Sequence, residues 1–279
     1  MRLGKLARLN KVNPNIIVDG IPLPYGYFAG LNTVRESIND IAIGVGAARD
    51  FADSGNMKNT AVLTKQFDND WAEGDDAGGF PETALTQLVD TWYHLFIIGK
   101  TDGSAVDGGF DTALTASNLL GDAAVSSAGY TTYRRVGSVR TDGATATTVL
   151  DYTQLGNHFI WAASIGDEAT TFTLGSRQTV TLTGVPPDVS VLAEMNYQFS
   201  DGSSFNINVS QLSANDEAPT LADAAPNATL IKIGADTVGR LIVRTDTSAG
   251  FGVHATGTGS LDNVNFSALG WIDDLRTVV

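Results

Sequence analysis

The residues of this chain best suited by type to chemistry are two groups of carboxylates and three histidines. Asp68, Asp70, Glu73, Asp75 and Asp76 fall within nine residues, and Asp102, Asp107 and Asp111 within ten. Two carboxylates can protonate a leaving group and activate water in glycoside hydrolysis. Clustered carboxylates with loop carbonyls can also hold calcium. Neither group has the spacing of an EF-hand loop, so solvated loop acids are expected, with bound calcium as the alternative ahead of catalysis. His94 follows Tyr93, His158 precedes Phe159, and His254 lies in a Gly/Thr-rich stretch. No second histidine stands at metal-ligand spacing and no H-E-x-x-H occurs, so each is expected to be packed or at the surface. No G-x-S-x-G elbow is present, and without cysteine there is no thiol chemistry or disulfide framework. The run Gly44-Val45-Gly46-Ala47-Ala48-Arg49 imitates a dinucleotide fingerprint, but Arg49 stands where close helix–strand packing needs a third glycine. The expectation is a protein without an enzymatic centre, resident metal or cofactor.

The elements that would position these residues are strands. Apolar residues are 43% and charged residues 17% of the 279, which predicts a folded chain, and the 30 glycines suit many short strands joined by tight turns. Asp-Gly pairs recur at Asp19-Gly20, Asp102-Gly103, Asp107-Gly108, Asp142-Gly143 and Asp201-Gly202; glycine tolerates positive φ there and the aspartate bonds local backbone. Around Asp201-Gly202, Met195, Tyr197 and Phe199 alternate with polar residues, as do Phe205, Ile207 and Val209. This period of two predicts a hairpin with one apolar face. Leu230–Ile233 and Leu241–Val243 predict a second hairpin. Leu95–Ile98 and Phe159–Trp161 are short apolar runs suited to buried strands. Short helices are expected only at Glu82–Asp90 and Thr112–Leu120, and 213–227 as a long surface loop. Trp71, Trp92, Tyr93, Trp161 and Trp271 could stack on sugars, but in a β-rich chain they are expected in a core or subunit interface. The fold class is all-β, an antiparallel, jelly-roll-like β-sandwich.

Charge divides the chain. Arg2, Lys5, Arg8 and Lys11 precede the first acid, Asp19, and removing these four from 17 basic residues leaves 13 against 31 acidic ones, a body of −18. So acidic a body argues against nucleic acid as partner. No apolar run approaches the roughly 18 residues of a membrane-spanning helix, and the first twelve residues lack the apolar stretch of a signal peptide. Residues 1–26, interrupted by Pro14, Pro22 and Pro24, are expected to form an extended anchoring arm, with 27–279 as the sandwich domain. Arg2, Lys5, Arg8 and Lys11 would steer the arm onto a partner, while Ile16, Ile17, Val18 and Ile21 would bury area against it.

A resemblance is carried by the order of several short motifs. Thr91-Trp92-Tyr93-His94-Leu95-Phe96-Ile97-Ile98 leads to Asp107-Gly108-Gly109-Phe110-Asp111, then Tyr133-Arg134-Arg135-Val136-Gly137-Ser138 and Gln154-Leu155-Gly156-Asn157-His158-Phe159-Ile160-Trp161. Upstream stand Asp40-Ile41-Ala42-Ile43 and Leu63-Thr64-Lys65-Gln66-Phe67-Asp68, Trp71-Ala72-Glu73-Gly74 and Gly78-Gly79, and Gly270-Trp271-Ile272-Asp273 closes the series. This order resembles a β domain of bacteriophage tail-fibre and related virion proteins, with Asn157 in place of an acid. The resemblance implies a structural component of the virion, a tail-fibre, tail-tip or appendage subunit that assembles as a homotrimer with other virion proteins. Alternatives are a module binding a host-surface glycan or receptor through loops 68–80 and 213–227, or a capsid decoration protein.

Overall fold

The computed structural model describes residues 23–82, 84–199, 205–216, 218–219, 228–233, 237–257 and 261–275. Arg2, Lys5, Arg8, Lys11, Ile16, Ile17, Val18 and Ile21 of the expected arm lie outside the described residues. The arm's last four residues are tied to the chain itself: the Leu23 amide donates to Asn56 Oδ1 and the Gly26 amide to Asp53 Oδ1, both at 3.1 Å. Beyond them the body divides into two compact units, one running through Val149 and taking back Leu275, the other spanning Leu150–Asp274. Both are built almost wholly of β-strands, as the alternating sequence predicts.

The first unit contains β1 (Phe28–Gly30), β2 (Thr33–Arg35), β3 (Asp40–Ile43), β4 (Gly46–Arg49), β5 (Asn56–Asn59), β6 (Leu63–Asp70), β7 (Ala77–Phe80), β8 (Trp92–Lys100) and β9 (Val106–Asp111). Helices α1 (Ser117–Gly121) and α2 (Ala123–Ser127) and strand β10 (Tyr130–Arg140) complete it. Its strands pair in the orders β1-β4-β5, β10-β8-β9 and β2-β3-β6-β7, all antiparallel except β6 with β7. Strand β8 is central in its sheet and buried from Tyr93 to Gly99, which is why it reads as an unbroken apolar run. Phe67 sits at the middle of an aromatic cluster, edge-on to Phe80, Tyr93 and Phe110 at 4.9–5.3 Å between ring centres. Such burial contributes about 1.5–3 kcal/mol for each large apolar side chain.

The helix expected at Glu82–Asp90 does not form. Its backbone and side chains find tertiary partners instead: the Leu88 amide donates to the Tyr93 hydroxyl, and Gln87 Nε2 to the Phe67 carbonyl. The one expected at Thr112–Leu120 begins later, as α1 and α2 either side of Asp122, whose carboxylate caps α2 by accepting from the Ala124 and Val125 amides. The Gly44–Arg49 run bends at Gly44-Val45 and then forms β4, and Arg49 pairs with Asp53 at 3.1 Å.

The second unit contains β11 (Tyr152–Leu155), β12 (His158–Phe172), β13 (Arg177–Thr181), β14 (Leu192–Phe199), β15 (Phe205–Ser210), β16 (Ala228–Ile233), β17 (Thr237–Arg244), β18 (Gly250–Gly257) and β19 (Leu261–Ile272). One sheet has the order β17-β14-β19-β12, extended by β11 on β12; the other has β13-β18-β15-β16. Every connection from β12 to β19 except β15–β16 passes from one sheet to the other. Two four-stranded sheets wound in this way form a jelly roll. Phe251 of β18 meets Phe266 of β19 edge-on at 5.2 Å across the two layers, and Phe159 stacks on Trp271 at 4.8 Å.

Both hairpins expected here are corrected by this winding. The strands β14 and β15 on either side of Asp201-Gly202 exist, but β14 pairs with β17 and β19 while β15 pairs with β16 and β18. Likewise β16 and β17 lie in different sheets. Alternation places one face of each strand in the core, and a connection between layers satisfies that pattern as well as a hairpin does.

Candidate functional site

The two acidic groups disperse into separate structural roles. Asp102 accepts from the Ser104 amide in its turn, and Asp111 accepts from the Ala113 and Leu119 amides and from Asn118, fixing the approach to α1. Asp75 accepts from the Thr64 amide at 2.7 Å. Glu73 is held below the usual carboxylate range by the Tyr130 hydroxyl at 2.8 Å and by Lys100 at 3.2 Å. Glu82 is raised by a hydrogen bond with Asp70. Carboxyls that bond each other directly leave no room for a sugar, whereas glycosidase pairs stand about 5–9.5 Å apart. Among the described residues, no group of three or more His, Cys, Asp or Glu is placed to hold a metal ion, so the calcium alternative has no cluster behind it.

Asp107, as deeply buried as Asp111, is set apart by its partner. It faces Lys65 across the aromatic interior, Nζ to Oδ1 at 3.1 Å, with both side chains closed to solvent. Lys65 Nζ also donates to the carbonyls of Ala72 at 2.7 Å and Gly74 at 3.1 Å, so all three ammonium hydrogens have acceptors. The Gly74 amide donates to Asp107 Oδ2 at 2.8 Å and the Gly108 amide to Oδ1 at 2.6 Å. Trp71 lies beside the amine at 5.5 Å and donates from Nε1 to the Gly108 carbonyl. Burial lowers the Lys65 pKa and raises that of Asp107, while each charge supports the other. The loop that closes over the pair needs Gly78, where a Cβ would lie 1.8 Å from the Asp70 carbonyl oxygen.

The histidines are engaged one by one. Buried His94 bonds the Ser138 hydroxyl through Nδ1 at 2.9 Å, and burial pushes its pKa down to about 3. His254 Nδ1 meets Asp216 at 2.6 Å. His158 meets Glu194 at 3.1 Å. Trp71, Trp161 and Trp271 lie in the cores, as their company in sequence predicts.

A second site lies on the outer face of the β17-β14-β19 portion of the jelly roll, a groove of about 580 Å³. Register sets two rows of side chains across it: Val238, Gln198 and Asn265, then Arg240, Asn196 and Ser267. On the opposite face of the same strands, the side of Phe199 and Phe266, the Tyr197 phenol crosses Gly239, where a Cβ would meet the hydroxyl oxygen at 2.4 Å. Glu194 accepts from Arg240 at 2.6 Å, which offsets the guanidinium charge beneath the groove. Asn196, Gln198, Asn265 and Ser267 make no side-chain hydrogen bond among the described residues, leaving amide and hydroxyl groups free for a ligand.

No family model matches this chain, and no curated protein does. Its sites therefore stand on their own geometry. In sequence Lys65 is only one letter of the Leu63–Gly79 motif, and burial cannot be read from that letter; the one clue is a lysine inside a strand that otherwise alternates towards Phe67. The groove has no sequence signal, because its rows come from strands as far apart as Asn196 and Ser267. Loop 68–80 and the described residues 213–216 and 218–219 do not line it; the rest of the expected loop 213–227 lies outside the described residues. Among the described residues no helix is long and apolar enough to cross a membrane.

Proposed function

We propose that the protein is a non-enzymatic structural component of a bacteriophage virion, a tail-fibre, tail-tip or other appendage subunit that assembles as a homotrimer and docks through its basic arm. The observation behind this reading is what the motifs of the resemblance do. Lys65, Trp71, Gly78 and Asp107 build one closed interior, and the Arg134 guanidinium is buried and donates to the Leu275 carbonyl. Ser138 ties His94 to Arg135. Motif residues occupied in this way serve to hold the scaffold together. The jelly-roll winding of the second unit is an architecture that viral coat and lectin domains share, which supports the same reading at the level of fold only.

The arm supplies the test. Deleting residues 2–13 should leave the body folded by circular dichroism and remove the protein from purified particles; normal incorporation of the deleted form would rule out docking by the arm.

The groove favours a second role, recognition of a host-surface glycan. Its free amides and hydroxyl match the vicinal hydroxyls of a neutral sugar. A glycan array probed with the protein and with an Asn196→Ala/Gln198→Ala variant decides: binding lost in the variant supports the role, and no binding by the parent protein ends it.

A further inference from the structure

We propose that Lys65 and Asp107 become joined by an intramolecular isopeptide bond, Nζ to Cγ, formed inside the folded first unit without enzyme or cofactor. The geometry is that of reactants held in place. Nζ stands 3.1 Å from Oδ1, and its other two hydrogens point to the carbonyls of Ala72 and Gly74. The hydrogen aimed at Asp107 is therefore the one the ammonium gives up, to Oδ1. Holding amine and carboxyl in direct contact is the kind of proximity from which intramolecular reactions gain.

The surroundings favour the neutral, reactive forms. Both side chains are closed to solvent, and taking two charges out of water is costly even when they are paired. Burial shifts the lysine down and the aspartic acid up, towards amine and carboxylic acid. A second lysine–carboxylate pair among the described residues, Lys100–Glu73, is open to water on both sides and has no such pressure.

The step balances within the pair. One ammonium proton passes to the Asp107 carboxylate, giving amine and acid. The amine lone pair attacks Cγ and forms the C–N bond, and charge develops on Oδ2, where the Gly74 amide donates at 2.8 Å. Oδ1 then leaves with the transferred proton and a second proton from nitrogen, as one molecule of water. The product is a neutral secondary amide; nothing is oxidised or reduced. The dry aromatic setting of Trp71 and Phe110 keeps water from reversing it. The bond would link β6 to β9, strands of two different sheets, and place a covalent brace inside the first unit.

Intact mass under denaturing conditions tests this on the purified full chain. The expected mass is below the sequence mass by one water, and tryptic digestion should yield a branched peptide joining the segments that carry Lys65 and Asp107. The Lys65→Arg and Asp107→Ala variants should each show their full sequence mass. A parent protein at full sequence mass after a day at room temperature would overturn the proposal, whether or not the variants fold. So would a water deficit that persists in either variant.

Discussion

Polar side chains serve opposite ends in the two units. In the first, Lys65, Asp107, His94 and Ser138 are buried on strands with each polar group held by a named partner. In the second, Asn196, Gln198, Asn265 and Ser267 line an open sheet face and are held by none among the described residues. The first pattern fixes one arrangement of the chain, since a buried polar group that loses its partner is strongly destabilising. The second leaves donors and acceptors available at little cost, because water satisfies them until a ligand does. The buried ion pair and the open polar face thus lie in different parts of the sequence.

That separation can be broken experimentally, most severely at Lys65. Lys65→Met strands the Asp107 carboxylate in the interior and should lower unfolding free energy by about 3–5 kcal/mol in urea titrations; a loss under about 1 kcal/mol would place Lys65 with ordinary surface residues. His94 gives the next effect. Its pKa is about 3 in the folded protein against an ordinary 6.5, so between those values the unfolded chain binds the extra proton. Stability is therefore full above pH 6.5 and declines as pH falls towards 3, by up to about 4 kcal/mol. His94→Gln should flatten that decline relative to the parent, and equal pH profiles would remove His94 as its cause.

Gly78→Ala forces a Cβ against the Asp70 carbonyl oxygen and should cost about 3 kcal/mol, visible as an earlier urea midpoint. The smallest effect belongs to the groove: Asn196→Ala/Gln198→Ala should change stability by less than about 0.5 kcal/mol. A large loss there would show that these amides hold the fold after all.

The strands themselves were legible because alternation records which face meets the core, and Met195, Phe199, Phe205, Ile207 and Val209 are all buried as their period predicts. Their partners were not. Asp201-Gly202 lies outside the described residues; Asp-Gly suits a step between layers as well as a hairpin, and β14 and β15 stand in different sheets. Glu82–Asp90 misled for a different reason: hydrogen bonds to Tyr93 and Phe67, distant in the local pattern, outweighed helix propensity. For the sites, residue type alone ranked Asp107 with Asp102 and Asp111. Only burial separates the ion pair in the interior from a turn aspartate at the surface.

The central place of β19, between β14 and β12, bears on how the chain matures. During synthesis β12 and β14 leave the ribosome long before Leu261–Ile272 is translated, and until then both present unpaired edges that invite association between nascent chains. Completion of the second unit is therefore a late event, governed by contacts distant in sequence, and such contacts form slowly. Chaperones that shield strand edges would act in that interval, and a premature stop before residue 261 would leave the sheet without its middle.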